Sequence, residues 1–183
     1  KIISFTKNPL ENTNLIGELF TAISQQQVVE LNYHKFNAPD EILTVNVHPY
    51  LLKEYNRRWF LICAAETDGK ILNFGLERIN NVNPLPAHKY VEYNGDINEI
   101  FEDIVGVTNY TEKEVLKILF WVSDVSKDYV TSKPLHDSQR YYRGDADKTC
   151  RIQYPMLHGG SFFSIECKEN YELIRELTSY GEN

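Results

Sequence analysis

The sequence predicts a mixed α+β protein in which a small, closed β-barrel is followed by an α/β unit. Three observations lead to this prediction. One amphipathic helix precedes four to five short strands between residues 27 and 79. Turn-forming residues separate these strands, as in small barrels that close to remove their edges. From residue 111 onward the order is strand, helix, strand, strand, helix, which is typical of a split βαβ arrangement.

The barrel region begins with a helix whose apolar residues fall at helical spacing, with Thr13 or Asn14 as its cap. Alternation of apolar and polar residues from Val29 to His34 then predicts a half-buried strand. A turn at residues 37–40 leads into an extended segment, residues 42–53. This segment contains Pro49, which lacks an N–H donor, so we expect an edge, a bend or a bulge there.

The next strand, residues 58–65, is apolar on both faces and is therefore predicted to be central. A tight turn at residues 54–57 precedes it. Asp68-Gly69 then predicts a hairpin turn, because glycine tolerates the positive φ that such turns need. A further strand is expected at residues 71–79.

Residues 80–94 show no helical or strand periodicity and are predicted to form a connector. A short helix is predicted near residues 97–104. The second unit has predicted strands at 116–122 and 163–167, and a helix at 123–132. Alternation also predicts a strand through Cys150, Ile152, Tyr154 and Met156. A last helix should end at Gly181. Since this sheet still needs a final strand, we expect the native protein to continue past Asn183.

Composition narrows the possible functions. The chain has 183 residues and a net charge of −7, which argues against a surface that coats nucleic acid non-specifically. Three widely spaced cysteines suit a reducing cytoplasm, and neither they nor the five histidines show metal-ligand spacing. No run of about 18 apolar residues could span a membrane, and Lys1-Ile2-Ile3-Ser4-Phe5 lacks the long apolar core and cleavage site of a signal peptide. The chain starts without Met, which suggests a piece of something longer.

An enzyme would need a nucleophile with a base, or paired carboxylates, in one neighbourhood. Serines here lack a nearby His-Asp partner, and no Gly-rich phosphate loop occurs. Glu102 and Asp103 fall on what reads as a solvated helix. We therefore expect neither catalytic residues nor a cofactor nor a metal.

Four short motifs together resemble the signature of WYL domains. The segment His48-Pro49-Tyr50 and, after a turn, Arg58-Trp59-Phe60-Leu61 is similar to the family's Pro-Tyr, turn, Arg-Trp-Tyr-Leu pattern. Leu76-Glu77-Arg78-Ile79 resembles its Leu-Asp-Arg-Ile element, and Tyr33 sits where the first barrel strand of the family carries a tyrosine. Pro134-Leu135-His136-Asp137-Ser138-Gln139 and Tyr180-Gly181-Glu182-Asn183 resemble the C-terminal extension domain that often follows.

The resemblance implies an Sm-like or SH3-like barrel with its helix at residues 1–89, a linker with a short helix at 90–110, and a ferredoxin-like extension domain at 111–183. It also implies the effector half of a bacterial transcriptional regulator that binds nucleotides or short single-stranded nucleic acid. A helix-turn-helix outside this chain would bind DNA, and the protein would form a homodimer in the cytoplasm. Phe60 departs from the signature because it replaces a tyrosine and removes a hydroxyl group.

The ligand-binding residues expected from this resemblance are Tyr33, His48, Tyr50, Arg58, Phe60 and Arg78. Guanidinium groups pair bidentately with phosphate, and aromatic rings stack on bases. Each has an ordinary alternative: a surface ion pair with Glu54 or Glu77 for the arginines, core packing for the aromatic rings, and a turn residue for His48. Trp59 lies on the opposite side of its strand and is expected in the core.

Two other functions stay open at this stage. One is a stand-alone nucleic-acid-binding protein that assists a defence system. The other is a dimerising scaffold with no working pocket. A helix-turn-helix encoded just upstream would favour the regulator.

Overall fold

The structure is a computed structural model that describes residues 14–36 and 38–180. The chain divides into two compact units, one ending at Ile97 and the other starting at Asn98. Three predicted positions lie outside the described residues: the helix cap at Thr13, the turn residue Asn37 and the helix end at Gly181. The domain limits predicted from the resemblance, 1–89, 90–110 and 111–183, stay a prediction.

In its described residues, 14–36 and 38–97, the first unit contains one α-helix and five antiparallel strands. Helix α1 spans Asn14–Ser24. The strands are β1 (Val29–Lys35), β2 (Ala38–Tyr55), β3 (Arg58–Ala65), β4 (Ile71–Gly75) and β5 (Ile79–Pro84), with a 3-10 helix, Leu76–Arg78, between the last two. They form one sheet in the order β4-β3-β2-β1-β5. The predicted single strand at 71–79 is therefore wrong, because the 3-10 helix interrupts it.

The sheet of the first unit is curled but does not close. Strands β4 and β5 are its two edges in the part of the chain that the structure describes. A flat five-stranded sheet would hold its edges about 19 Å apart, since neighbouring strands are about 4.8 Å apart. The 3-10 helix that links the two edge strands has three residues and advances only about 6 Å. The sheet must therefore curl to bring its edges close enough for this link. The predicted closure into a barrel is wrong, because no ladder joins these edges.

One face of this sheet packs against α1. Leu15, Leu19 and Ala22 of the helix are buried against Leu31, Val47 and Leu61 and their neighbours. Trp59 packs against this core, as its parity predicted. Burial explains why α1 forms, because a helix this short is marginal alone and depends on its apolar face.

A bulge in β2 confirms the expectation at Pro49. Pro49 pairs with Cys63 and Leu51 pairs with Ile62, which leaves Tyr50 without an opposing residue in β3. Before the bulge Val47 faces the core, and after it Leu52 does. The tight turn between β2 and β3 is also present, with Asn56 and Arg57 at φ values of 50° and 63°.

Up to Tyr180, the last residue that the structure describes, the second unit has a three-stranded antiparallel sheet and three α-helices. Its elements are β6 (Val115–Val122), α2 (Asp124–Ser132), β7 (Arg140–Tyr141), α3 (Asp145–Gln153), β8 (Ser161–Lys168) and α4 (Tyr171–Ser179), preceded by a 3-10 helix at Ile97–Phe101. Strand β8 lies between β6 and β7. Val122, Val130 and Phe163 form a buried cluster, and the rings of Phe120 and Tyr141 stack on Phe163.

The strand predicted at residues 150–156 is wrong, because residues up to Gln153 belong to helix α3. Two of the four alternating apolar residues there are on the surface: Ile152 is 81% exposed and Met156 is 70% exposed. Asp147 pairs with Arg151 one turn later, at 2.7 Å, and acidic residues occupy the favourable first turn. The local contacts that stabilise the helix therefore outweigh the alternating apolar pattern, which buries little side-chain surface.

Candidate functional site

Arg78 occupies the last position of the 3-10 helix that follows β4, and two aromatic rings contact it. Its guanidinium carbon lies 4.8 Å from the centre of the Tyr33 ring and 4.0 Å from that of Phe36. Tyr33 is buried at the end of β1 and packs edge to face on Phe74 at 4.7 Å. Phe36, by contrast, is 70% exposed. Arg78 is therefore held between a ring of the core and a ring at the surface.

Glu77 joins the two predicted arginines. Its Oε1 lies 3.3 Å from Nη1 of Arg58 and 3.6 Å from Nε of Arg78. Gly75 leaves space for this carboxylate, because a Cβ at that position would lie 2.8 Å from the same oxygen. The arginine cluster, defined as Tyr33, Phe36, Arg58, Glu77 and Arg78, thus carries two positive charges and one negative charge.

Two polar groups in the arginine cluster have unusual surroundings. Nε of Arg78 is buried and has no hydrogen-bond partner, since its separation from Glu77 is that of an ion pair only. Burial raises the pKa of the Tyr33 hydroxyl, and the Glu77 charge raises it further, while Arg78 and a hydrogen bond from the Gly75 backbone act in the opposite direction. The hydroxyl therefore stays protonated at neutral pH.

His48 and Tyr50 belong to a second cluster, which includes Tyr90 and Tyr93. The His48 ring is buried, meets Tyr90 edge to face at 5.6 Å, and accepts a hydrogen bond from the Val91 N–H at Nδ1, at 3.3 Å. Tyr50 donates to the Val91 carbonyl at 3.0 Å, and Tyr90 donates to the Pro49 carbonyl at 2.7 Å. These bonds attach residues 90–91 to the bulged part of β2.

Three residues of this second cluster, His48, Tyr50 and Tyr93, line a cleft of about 420 Å³. Its walls include His48, Tyr50, Ala64, Glu66, Glu92 and Tyr93, and we call it the tyrosine cleft. The tyrosine rings of positions 50 and 93 are 5.7 Å apart and inclined at 60°. Glu66 accepts from His88 at 2.7 Å and from Asn46 at 3.0 Å. The hydrogen bond with His88 is the main reason why the pKa of Glu66 lies below its usual value.

The structure thus separates the six predicted site residues into two places. Tyr33, Arg58 and Arg78 meet at Glu77, whereas His48 and Tyr50 line the tyrosine cleft. Arg58 pairs with Tyr55 and Ala64 pairs with His48, six residues further along β3. At about 3.3 Å a residue, the two ends of this ladder are about 20 Å apart. Phe60, half-buried, pairs with Lys53 and Gly75 between them.

Three residues of these clusters were missed by sequence reasoning. Phe36 follows the last alternating residue of β1 and carries no signal of its own. Tyr90 and Tyr93 lie in the aperiodic segment 80–94, which was interpreted as a connector. The only available signal was the density of tyrosines in that segment.

His136 and Gln139 in the second unit have structural contacts. Gln139 accepts from the Leu135 N–H at 3.0 Å and donates to the Val130 carbonyl at 3.0 Å. His136 contacts the Glu102 carbonyl at 2.8 Å through Nε2. These bonds close the loop after α2.

No helix within residues 14–36 and 38–180 is long and apolar enough to cross a membrane.

A comparison with curated proteins finds no match. Among solved structures, the chain is similar to proteasome accessory factor B/C (PafBC) of Arthrobacter aurescens, at 13% identity and a TM-score of 0.41. The match covers 88% of this chain and 22% of that one, so the chain spans about a fifth of that protein's length.

A comparison with protein families matches the model of the WYL domain to residues 14–84. The matched range begins with α1 and ends with β5, and it includes the whole curled sheet. It also contains every residue of the arginine cluster. The resemblance that the sequence motifs indicated is therefore confirmed for the first unit: residues 14–84 match the WYL domain.

Proposed function

We propose that this chain is the ligand-sensing part of a bacterial transcriptional regulator and that the arginine cluster binds an anionic group of a nucleotide or a short single strand. The observation that carries the proposal is the convergence of Arg58 and Arg78 on one carboxylate, Glu77. Two guanidinium groups against one carboxylate leave a local positive charge on a chain whose net charge is −7.

The surroundings of Arg78 favour phosphate recognition. Its side chain stays 22% exposed, and a guanidinium group can donate charge-assisted hydrogen bonds to phosphate. Phe36 offers an exposed ring beside it, on which a base could stack. The acidic remainder of the chain disfavours a long polyanion along the surface, so the proposed ligand is short.

His48 and Tyr50 stay predicted ligand-binding residues of the domain, but their separation from Glu77 gives them no part in this anion site. Phe60 pairs with Gly75, beside Glu77, and also stays a predicted ligand-binding residue. Regulation would follow if ligand binding changed DNA binding by a helix-turn-helix outside this chain. In this proposal the protein is a cytoplasmic homodimer and not an enzyme.

We also propose the finer fold assignments that the sequence indicated. Five antiparallel strands with a 3-10 helix before the last one support an SH3-like first domain that is curled and not closed. In the second unit β8 lies between β6 and β7 and runs antiparallel to both, which supports a ferredoxin-like split βαβ arrangement.

The proposed anion site is tested by fluorescence anisotropy with a labelled four-nucleotide DNA and competing mononucleotides. Arg78→Ala should weaken binding by at least about tenfold, because a charge-assisted hydrogen bond is worth about 1.5–3 kcal/mol. Arg57→Asn is the matched control: it removes a neighbouring charge, and asparagine tolerates the φ of 63° found there.

Salt gives a second readout of the same site. If two phosphates are neutralised, the logarithm of the binding constant should fall with a slope of about −1.4 against the logarithm of the salt concentration. Circular dichroism confirms that each variant is folded. Equal binding by the wild type and Arg78→Ala, or binding of long duplex alone, would reject the anion site.

A further inference from the structure

The tyrosine cleft differs in charge from the arginine cluster, and the proposed function does not use it. We propose that this cleft binds a small organic cation with an ammonium or guanidinium group. This inference is independent of the anion site.

The charged residues that line the cleft are acidic. Glu66 and Glu92 both contribute, while no Lys or Arg lines it among the residues that the structure describes. Each carboxylate keeps capacity for another hydrogen bond, because a carboxylate offers about four lone pairs. Glu66 uses two contacts, and Glu92 accepts from Gln26 at 2.6 Å.

The histidine in the wall is already hydrogen-bonded to the backbone. Nδ1 of His48 accepts the Val91 N–H at 3.3 Å. His88 faces Glu66 from outside the wall, and Lys70 and Lys89 are near in sequence but do not line the cleft.

Aromatic rings complete the preference for a cation. The rings of Tyr50 and Tyr93 form two inclined walls, and the negative face of an aromatic ring attracts an ammonium or guanidinium group. Hydrogen bonds to Val91 and Pro49 attach these walls to β2, so the cleft exists before any ligand arrives. Ala64, Ala65 and Ile71 provide apolar surface for the rest of the ligand.

The size of the cleft favours a free small molecule. Its volume of about 420 Å³ lies within the range usual for small-ligand sites, about 300–1,000 Å³. The occupant that we propose is therefore a compact amine or guanidine and not a side chain of another protein.

Three probes of one shape and different charge test the proposal: benzylammonium, benzyl alcohol and benzoate. They are titrated into the ¹⁵N-labelled chain, and the amide signals of Gly69 and Val91 are followed by NMR. We expect benzylammonium to bind most tightly and benzoate least. Benzoate binding as tightly as benzylammonium would overturn the proposal, as would the absence of shifts with 10 mM benzylammonium.

Two variants assign the binding to the cleft. Glu66→Gln should weaken benzylammonium by about fivefold, as expected for one charge about 4 Å away in water. Tyr93→Leu should weaken it by about two- to fivefold through loss of the ring face. Glu54→Gln, at the far end of β2, is the matched control and should have no effect.

The variants also allow the proposal to fail cleanly. If Glu66→Gln and Tyr93→Leu both bind benzylammonium as the wild type does, the cleft is not its site. If a Gly-Gly-Lys-Gly-Gly peptide binds more tightly than benzylammonium, the assignment to a small molecule is wrong. Neither result bears on the binding of nucleotides at Arg78.

Discussion

The two ends of the β2–β3 ladder carry opposite charge and depend on the core to different degrees. At one end, Arg58 and Arg78 each form an ion pair with Glu77. Arg78 also packs on the ring of Tyr33, which is 6% exposed and belongs to the core. At the other end, the tyrosine cleft combines strand residues with a segment, residues 90–94, that belongs to no helix or strand. The arginine cluster contacts the core through Tyr33, whereas residues 90–94 of the cleft are attached to the sheet by side-chain hydrogen bonds.

This difference determines whether a substitution changes ligand binding alone or changes binding and stability together. A change in the arginine cluster at Tyr33 should affect folding and binding together. A change in the cleft should affect binding with a small loss of stability. The predictions below test this contrast, beginning with the largest effect.

Replacing Tyr33 with alanine should destabilise the first unit by about 3 kcal/mol or more, because a large buried ring leaves a cavity. Tyr93→Ala is the matched change in the cleft, where the ring is half-buried, and it should cost about 1 kcal/mol or less. Urea unfolding followed by circular dichroism measures both. Equal losses would show that the cleft is as integral to the core as the arginine cluster.

Removing the Tyr90 hydroxyl, beside the cleft, should have a moderate effect on stability. Tyr90→Phe deletes the 2.7 Å bond to the Pro49 carbonyl and should lower the free energy of unfolding by about 1 kcal/mol. Burial raises the pKa of Tyr90 to about 12, so its hydroxyl is a donor throughout the accessible pH range. Tyr171→Phe, at a ring that is 66% exposed, should leave the urea midpoint unchanged.

Glu77→Gln should tighten mononucleotide binding by about fivefold, because a ligand phosphate no longer competes with a carboxylate about 4 Å from each guanidinium group. Anisotropy competition measures the change against the wild type. Weaker binding would instead show that Glu77 orients the two arginines and that its charge is needed. The same variant should not alter the binding of benzylammonium.

Glu66 makes the smallest predicted contribution, and its pH dependence has a definite sign. Its pKa in the folded state is below the ordinary 4.5, mainly through the hydrogen bond from His88. Its stabilising effect is therefore present above pH 4.5 and is lost as the pH falls below that value. Urea unfolding of the wild type and Glu66→Gln should differ at pH 7 and converge only in this acidic range. Convergence at a pH above 4.5 would contradict this assignment to the Glu66 carboxylate.

The first unit could be predicted well from sequence where local and tertiary preferences agree. Helix α1, the two-sided strand β3 and the bulge beside Pro49 all have strong local signals. The sequence did not reveal the open edges of the sheet, because closure depends on how far the strands curl. It also misjudged residues 150–153, where alternation of apolar residues competes with the Asp147–Arg151 pair on a helix.

The candidate sites show a similar division. Arg58 and Arg78 were singled out by the signature, and Arg58 lies at the start of β3 as expected, but Arg78 lies in the 3-10 helix and not in a strand. Phe36 and the tyrosines of residues 90–93 could not be predicted, because their positions result from tertiary contacts with Arg78 and with β2. The separation of His48 from the arginines follows from the length of the β3 strand and became evident only from the register of the ladder.

The bulge in β2 has a consequence for how this strand tolerates a change of length. Tyr50 is the extra residue, since the pairs on either side of it, Pro49 with Cys63 and Leu51 with Ile62, would join into one regular ladder without it. Deleting Tyr50 alone would leave Val47 and Leu52 facing the core, whereas deleting a residue elsewhere within residues 44–48 would turn part of the strand inside out. The residue that the sheet can spare is therefore the one that lines the cleft, so the cleft can be lost or gained by a single-codon deletion or insertion while the core is retained.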